Sequence, residues 1–194
     1  AAVIAHEVKN PLAGVRGAIQ VVGSRLPAAS GDAPIVGEIV SRIDALDRLI
    51  NDLLVFARPP RPRLAQVELA PLLRMTADLM CRDPLLRDMR VEISGDSAAV
   101  RADAEMLKIV FQNLLVNAAH AMERRGTIQV AIGTRAGAIQ VSVIDAGPGI
   151  PPDIRDRVFT AFFTTKTRGS GLGLATARRL VEAHHGDIHV ECPP

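Results

Sequence analysis

The sequence predicts an α+β fold in two parts: an antiparallel helical hairpin over residues 1–58 and a two-layer α/β domain over residues 64–194. Three observations support this division. Apolar residues recur at alternating spacings of three and four through the first 57 residues, which is the helical period. A proline-rich linker, residues 59–63, then interrupts the pattern. After it, short alternating apolar runs are interspersed with helical segments, as in a mixed α/β domain.

Two apolar seams define the predicted hairpin, and each seam repeats every seven residues. A turn near Pro27 and Ser30-Gly31-Asp32 separates them. The first seam is Val8, Leu12, Val15, Ile19, Val22 and Leu26, and the second is Val36, Ile39, Ile43, Leu46, Ile50, Leu53 and Ala57. Because two helices alone bury too little surface to be stable, we expect two hairpins from two chains to form a four-helix bundle.

The second part is predicted to contain strands and helices in alternation. In chain order they are a strand at 67–69, a helix at 71–81, a strand at 91–93, a helix at 104–122, paired strands at 127–132 and 138–144, a loop at 145–169, a helix at 172–184 and a strand at 187–191.

Composition excludes several classes of function. The chain of 194 residues carries 23 Lys and Arg against 21 Asp and Glu, a net charge of +2 that indicates neither nucleic acid nor an anionic membrane as a partner. It has no Trp or Tyr and five Phe, few aromatic rings for stacking on bases. Cys81 and Cys192 have no metal-ligand spacing, and no apolar run reaches the length of a membrane span. No leader peptide is expected at the N-terminus.

His6, Glu7 and Asn10 form the first candidate site. On a helical wheel His6 points about 160° away from its own seam, so it is not a core histidine. Asn10 lies on the same outward face, and small residues such as Ala13 and Gly17 follow along it. A solvated histidine without a role is one interpretation. The other is a nucleophilic imidazole beside a carboxylate, on a surface that a second protein can approach closely, with Pro11 loosening the helix nearby.

A pair of asparagines and an Asp-Gly loop form the second candidate site. Asn113 and Asn117 lie four residues apart on the polar face of a predicted helix, where amides are also common as plain surface residues. Asp145, at a strand end, is followed by Gly147 and Gly149. Such a carboxylate can accept a hydrogen bond from an exocyclic amine, with the glycines admitting a flat ring, although the same pattern is typical of a simple turn.

The third candidate site is a glycine-rich loop that opens a helix. Gly169, Gly171 and Gly173 precede the helical segment, so backbone N–H groups and a helix N-terminus meet there, as in anion-binding sites. Such a loop alone is weak evidence. Lys166 and Arg168, just before it, supply positive charge suited to a terminal phosphate.

In these residues and their order, the chain resembles the transmitter region of bacterial sensor histidine kinases. Five segments, spread over nearly the whole chain, resemble the boxes of that family: His6 to Leu12 the H box, Asn113 to Ala118 the N box, Asp145 to Gly149 the first glycine box, Phe159 to Lys166 the F box, and Gly169 to Leu174 the second glycine box. Asn at the fourth place after His, and the Phe-Phe-Thr-Thr-Lys string, are most similar to the nitrogen-regulation type.

The resemblance implies a dimerisation and histidine-phosphotransfer hairpin followed by an ATP-binding domain of the Bergerat (GHKL) fold. It implies that His6 accepts the phosphoryl group with Glu7 as general base. Asn10 matches the position that orients water in relatives that also dephosphorylate their partner. Asn117 would hold Mg²⁺, and Asp145 would recognise the adenine amino group. The other implied nucleotide-binding positions are Asn113, Gly147, Gly149, Thr165, Lys166, Gly169, Gly171, Leu172 and Gly173.

The implied activity is that of a protein histidine kinase, with ATP and Mg²⁺ as cofactors. A homodimer would autophosphorylate on His6 and pass the group to an aspartate on the receiver domain of a response regulator, docked over Ala13 and Gly17. We expect this region on the cytoplasmic side, where ATP is. A sensor region is expected before Ala1 and a further strand after Pro194. Relatives often carry Lys or Gln at the position of His120, whose contact with phosphate stays open.

Two alternative functions remain. A Bergerat-type ATPase of the chaperone or topoisomerase sort would hydrolyse ATP, but such enzymes place Glu where Asn113 stands, and an amide is no general base. A non-catalytic dimerisation scaffold with a degenerate nucleotide site is the other alternative. The near-complete set of nucleotide residues argues against it.

Overall fold

The structure is a computed structural model that describes residues 2–27, 30–57, 61–83, 86, 88–95, 98–166 and 169–192, without the side chains of 2–9, 48 and 51. The chain divides into two compact units, Ala1–Pro59 and Pro60–Pro194. The predicted linker lies partly on residues 58–60, which are outside the described part, and residues 61–63 are irregular. The boundary between the units therefore falls in the proline-rich stretch.

The first unit is an antiparallel pair of long helices, α1 (Ala2–Arg25) and α2 (Ala33–Ala57). Two contacts define their direction. Arg16 Nε donates to Asp44 Oδ1 at 2.7 Å, and a Cβ built on Gly23 would lie 2.7 Å from Val36 Cγ1. The predicted hairpin is confirmed. Helix α1 continues through Pro11, so the expected loosening does not interrupt it.

The apolar seams of the hairpin are only partly buried. Ile43 is the one buried residue among the side chains that are described in this unit. Large apolar side chains that recur seven residues apart in each helix are exposed instead: Val15, Val22, Leu46 and Leu53. Among the described residues, no helix is long and apolar enough to cross a membrane.

The second unit contains five strands, three helices and one short 3₁₀ helix among its described residues. They are β1 (Ala65–Glu68), α3 (Leu69–Cys81), β2 (Met89–Gly95), β3 (Ala99–Ala102), α4 (Ala104–Ala121), β4 (Gly126–Arg135), β5 (Ala138–Ile144), the 3₁₀ helix Pro152–Arg157 and α5 (Gly173–Ala183).

The strands form two small sheets. β1 pairs antiparallel with β3, with Ala65 opposite Ala102. In the three-stranded sheet β2-β4-β5, β2 runs parallel to β4, and β4 pairs antiparallel with β5 around a two-residue turn. Both turn residues, Ala136 and Gly137, have positive φ, as a type I′ hairpin turn requires. This confirms the predicted strand pair.

The core lies between the three-stranded sheet and helices α3, α4 and α5. Alternate residues of β4 are buried while their neighbours are not, so one face of the sheet packs on the helices. Leu73 of α3, Leu115 of α4 and Leu180 of α5 are fully buried in the helical layer. The predicted two-layer architecture is confirmed, and it supports α4, which carries Asn113 and Asn117, and α5, which begins at Gly173.

Three local predictions differ from the structure. Strand β3 was not expected, because its sequence Ala-Val-Arg-Ala has little strand propensity and pairing with β1 decides its conformation. The loop at 145–169 contains the 3₁₀ helix. The strand predicted at 187–191 is wrong: these residues are irregular. Arg135 reaches Glu191, and Cys192 Sγ accepts from the Ile150 N–H, so side-chain contacts take the place of a backbone ladder.

Candidate functional site

Helix α4 carries the two asparagines on the side that faces Lys166 and the start of α5. Asn117 Oδ1 accepts a hydrogen bond from Lys166 Nζ at 2.6 Å. Asn113 Nδ2 donates to the Ile109 carbonyl at 3.0 Å, which fixes the orientation of that amide. Both side chains therefore have defined positions, and the oxygen of Asn117 already faces a cation.

The environment of Lys166 combines desolvation with a nearby carboxylate. Desolvation of the ammonium lowers the pKa of Lys166, and the Asp145 carboxylate acts in the opposite direction. Two hydrogen bonds involve its backbone: its own N–H donates to Thr164 Oγ1, and its carbonyl accepts from the Gly169 N–H. The structure thus brings Asn117, Lys166 and Asp145 together from three separate segments.

The Asp-Gly loop packs on the C-terminal end of α4. Asp145 Oδ1 accepts from the Gly147 N–H at 2.9 Å, which makes a tight turn. A Cβ on Gly147 would lie 2.7 Å from the Ala121 Cβ, so any side chain there would push the loop away from the helix. Asp145 is consequently held beside the turn of α4 that follows Asn117.

The glycine-rich loop approaches its neighbours at backbone distance. Gly171 has φ +66, and a Cβ there would lie 2.5 Å from the Phe162 carbonyl carbon. The Phe162 N–H donates to the Gly171 carbonyl at 3.0 Å. At the start of α5, a Cβ on Gly173 would lie 2.8 Å from Asn113 Oδ1. The loop therefore passes directly over the amide of Asn113.

Two cation–π contacts hold the F-box aromatics. The Arg157 guanidinium lies 4.5 Å from the Phe163 ring centroid, and that of Arg178 lies 5.9 Å from the Phe159 centroid. Phe162, between them, has positive φ and an exposed ring. The backbone at this point is accordingly fixed by its contact with Gly171 and not by burial of its own side chain.

The N-terminus of α5 has no side-chain cap within the described residues. Leu172, the residue at the cap position, buries its side chain in the core and donates its N–H to Ser170 Oγ at 3.2 Å. Uncapped N–H groups at a helix N-terminus, with Lys166 nearby, favour an anion.

His120 lies three residues after Asn117 on α4, close to two cations. Desolvation lowers the pKa of His120, and the charges of Lys166 and Arg124 lower it further. The imidazole is therefore neutral at neutral pH. A direct phosphate contact by His120 stays a prediction.

The remaining predicted residues lie on other segments or outside the described part of the chain. The side chains of His6 and Glu7, on α1, lie outside the described part, and so does Arg168. Asn10 is exposed on α1. Thr165 is exposed beside Lys166, and Gly149, with φ +74, continues the Asp-Gly loop.

One arrangement was missed by sequence reasoning. Asp103 caps α4 by accepting from the N–H groups of Glu105 and Met106, and its own N–H donates to His184 Nε2 at the end of α5. The capping aspartate had a signal, because Asp directly before a helical pattern is typical of an N-cap. The histidine had none, since the two residues lie 81 positions apart.

Comparison with known proteins gives matches to both units. Residues 102–194 match the family described as histidine kinase-, DNA gyrase B-, and HSP90-like ATPase, and residues 1–61 match the His Kinase A (phospho-acceptor) domain. Sensor histidine kinase ZraS of Escherichia coli strain K12 is 34% identical over 193 residues, which cover 98% of this chain and 41% of ZraS. The chain thus spans less than half the length of this curated relative.

Solved structures agree with these matches. Full-length ShkA in complex with AMPPNP has a TM-score of 0.77 at 31% identity, covering 94% of this chain and 40% of ShkA. The catalytic domain of histidine kinase ThkA has a TM-score of 0.54 at 31% identity, covering 62% of this chain and 80% of that domain. ThkA in complex with response regulator protein TrrA has a TM-score of 0.65 at 25% identity, covering 95% and 54%.

The matches define a phospho-acceptor hairpin followed by a domain of the histidine kinase and gyrase ATPase class. The chain belongs to the sensor histidine kinase family and corresponds to its transmitter region.

Proposed function

We propose that the chain is the catalytic core of a two-component sensor histidine kinase. It would autophosphorylate on His6 with ATP and pass the phosphoryl group to an aspartate of a response regulator. The observation that carries the proposal is the assembly around α4: the Lys166 ammonium on Asn117 Oδ1, Asp145 beside them, and the glycine loop over Asn113. These groups come from three distant segments, in a chain of the kinase family.

The described residues fit a nucleoside triphosphate. Asp145, held by its turn, would accept a hydrogen bond from the adenine amino group, with Gly147, which lets the loop pack against Ala121, and Gly149 forming the rest of the loop on the adenine side. The uncapped start of α5 would receive the phosphates, with Gly169, Gly171 and Gly173 as the lid loop and Thr165 and Lys166 at its edge. Leu172 would contribute through its buried side chain, which anchors this loop to the core.

The amide oxygen of Asn117 fits Mg²⁺. Hard divalent cations prefer oxygen ligands, and this oxygen already accepts from an ammonium at 2.6 Å. When bound, Mg²⁺ would neutralise charge on the phosphates. Lys166 would then be released from Asn117 to act on the terminal phosphate as a mobile cation.

His6 and Glu7 would perform the chemistry on the acceptor side. The unprotonated ring nitrogen of His6 would attack the γ-phosphorus, the bond to the β,γ-bridging oxygen would break, and ADP would leave. Glu7 would accept the proton from the other ring nitrogen. Asn10, exposed one turn further on, would orient water if the same surface also dephosphorylates its partner.

Two partners follow from this proposal. The exposed heptad residues of α1 and α2 favour a second copy of the chain, which would complete a four-helix bundle. ThkA is solved with a response regulator, which supports a receiver domain as the second partner, docked over Ala13 and Gly17. Because the acceptor and the nucleotide belong to different units, we expect movement about the linker to limit the rate. The kinase would work on the cytoplasmic side, where ATP is available.

Incubation of the chain with γ-labelled ATP tests the proposal. Wild type should acquire an acid-labile label, His6→Gln should acquire none, and His189→Gln should behave as wild type, because His189 is exposed in the other unit. Free phosphate without labelled protein would indicate the ATPase alternative. The absence of both labelled protein and free phosphate would indicate the scaffold alternative.

A further inference from the structure

His184 lies at the C-terminal cap of α5, far along that helix from the glycine loop. Its Nε2 accepts from the Asp103 N–H at 3.0 Å, and its Nδ1 lies 2.7 Å from the Leu180 carbonyl oxygen. A carbonyl oxygen only accepts, so Nδ1 must carry the hydrogen, and an N–H only donates, so Nε2 must be bare. The two contacts together specify a neutral imidazole in its Nδ1–H tautomer.

Asp103 is the residue on which this contact acts. Its Oδ1 accepts from Glu105 and Met106 at the start of α4, and its Oδ2 accepts from the Arg63 N–H at 2.8 Å. The hydrogen bond from Arg63 is the largest of the contributions that lower the pKa of Asp103, ahead of those from Met106 and Glu105. The N–H and both carboxylate oxygens of Asp103 are thus occupied, and the start of α4 is fixed to the end of α5.

Helices α4 and α5 run antiparallel and pack against each other, and two of their contacts lie at opposite ends. One is the contact between His184 and Asp103, and the other is the close approach of Gly173 to Asn113. The two points are about 15 Å apart along α4 and about 17 Å apart along α5, from the helical rise per residue. Because these lengths match, the contact at the far end, together with the packing between the helices, constrains how α5 lies along α4 and therefore how closely the glycine loop approaches Asn113.

We propose that His184 is a positioning residue for the nucleotide site, which acts through Asp103 by holding α5 in register with α4. The inference rests on the proposed nucleotide binding. A shift of α5 along α4 would move the glycine loop away from the amide without unfolding the core between them.

A matched pair of amide variants tests this positioning role. His184→Gln carries a side-chain oxygen at about the reach of Nε2, whereas His184→Asn is too short to reach the Asp103 N–H. We expect His184→Asn to bind a fluorescent ATP analogue, with Mg²⁺ present, about fivefold more weakly than wild type, the effect of one lost hydrogen bond. His184→Gln should bind within about twofold of wild type by the same reasoning. His189→Asn, exposed on the same unit, is the control.

Binding is measured well below the unfolding midpoint, so a purely structural role would lower the melting temperature of His184→Asn without changing its affinity. That outcome, or equal affinities for the two amide variants, would overturn this inference and leave the proposed function intact. Wild-type protein that binds no nucleotide would overturn the proposed function and this inference together. Should either variant fail to fold, ¹⁵N shifts of the wild-type ring decide: the Nε2–H tautomer contradicts the inference and the Nδ1–H tautomer supports it.

Discussion

The two units of the molecule differ in where their apolar side chains lie. In the α/β unit, Leu73 is 1% exposed, and a set of large aliphatic residues from three helices and the sheet is buried with it. In the hairpin, Leu46 is 48% exposed although it belongs to the same apolar seam as the buried Ile43. One unit is stabilised by its own core, whereas the other leaves large apolar side chains of both its seams exposed.

This difference affects how each unit should unfold. A unit with its own core unfolds at a midpoint that is independent of protein concentration, while a unit stabilised by self-association does not. The chain lacks Trp and Tyr, so calorimetry and far-ultraviolet circular dichroism are the suitable measurements. Two thermal transitions, with only one dependent on concentration, are the expected signature.

Substitution of Leu73 by Ala should have the largest effect on stability. The side chain is fully buried on α3, so we expect the free energy of unfolding of the α/β unit to fall by about 2–5 kcal/mol. The control is Leu79→Ala on the same helix, which is 48% exposed and should cost less than about 1 kcal/mol. The free energy of unfolding is taken from the concentration-independent transition. If Leu73→Ala and Leu79→Ala lowered it equally, a core confined to one face of α3 would be contradicted.

Substitution of Leu46 by Glu tests the other half of the comparison. In the proposed four-helix bundle, a carboxylate at this position would be desolvated without a partner, so we expect dimerisation to weaken by about 100-fold. Analytical ultracentrifugation measures the change. Ser41→Glu, on the opposite face of α2 by the helical wheel, should leave the dimer intact. If both variants dimerise as wild type does, the exposed seam is not the dimer interface.

Much of the fold could be predicted because its signals are local. The heptad seams of α1 and α2, the period of α4 and the strand pair β4–β5 are each contained in one stretch of sequence. Strand β3 could not be predicted, since pairing with the distant β1 decides its conformation. The strand predicted at 187–191 failed for the same reason: an alternating pattern does not supply a hydrogen-bonded neighbour.

The candidate site likewise combines local features, which the sequence shows, with long-range contacts, which it does not. Its residue types are visible in short motifs, whereas its contacts join residues far apart in sequence: Lys166 and Asn117 lie 49 positions apart. Nothing in the motif of Lys166 specifies that its ammonium rests on an amide oxygen. The contact between Asp103 and His184 is another such case. Roles for the site residues therefore stay predictions, although the structure brings many of them together.

A smaller effect is expected inside the core of the α/β unit. Thr176 is 2% exposed, and its hydroxyl has no hydrogen-bond partner among the described residues. Replacing it with Val keeps the shape and removes the buried hydroxyl, so we expect stabilisation by about 1 kcal/mol.

Thr76 provides the matched control for this substitution. It is equally buried, but its Oγ1 donates to the Leu72 carbonyl at 2.7 Å, so Thr76→Val removes a hydrogen bond and should not stabilise the unit. Calorimetry on both variants separates the two cases. Stabilisation of the same size in both would mean that hydrogen bonding of the hydroxyl is irrelevant at these positions.

The smallest effect is expected from the ion pair between the two helices of the hairpin. Arg16 Nε and Asp44 Oδ1 lie 2.7 Å apart, but their side chains are 43% and 41% exposed, so water and salt screen the pair. We expect Asp44→Asn to lower the stability of the hairpin transition by less than about 1 kcal/mol, and the loss to shrink as salt is added. A large, salt-independent loss would mean that the pair is buried once the second chain associates. The hairpin would then owe part of its stability to a polar contact enclosed by the dimer, and the contrast with the aliphatic core of the α/β unit would lie in the kind of contact as well as in its location.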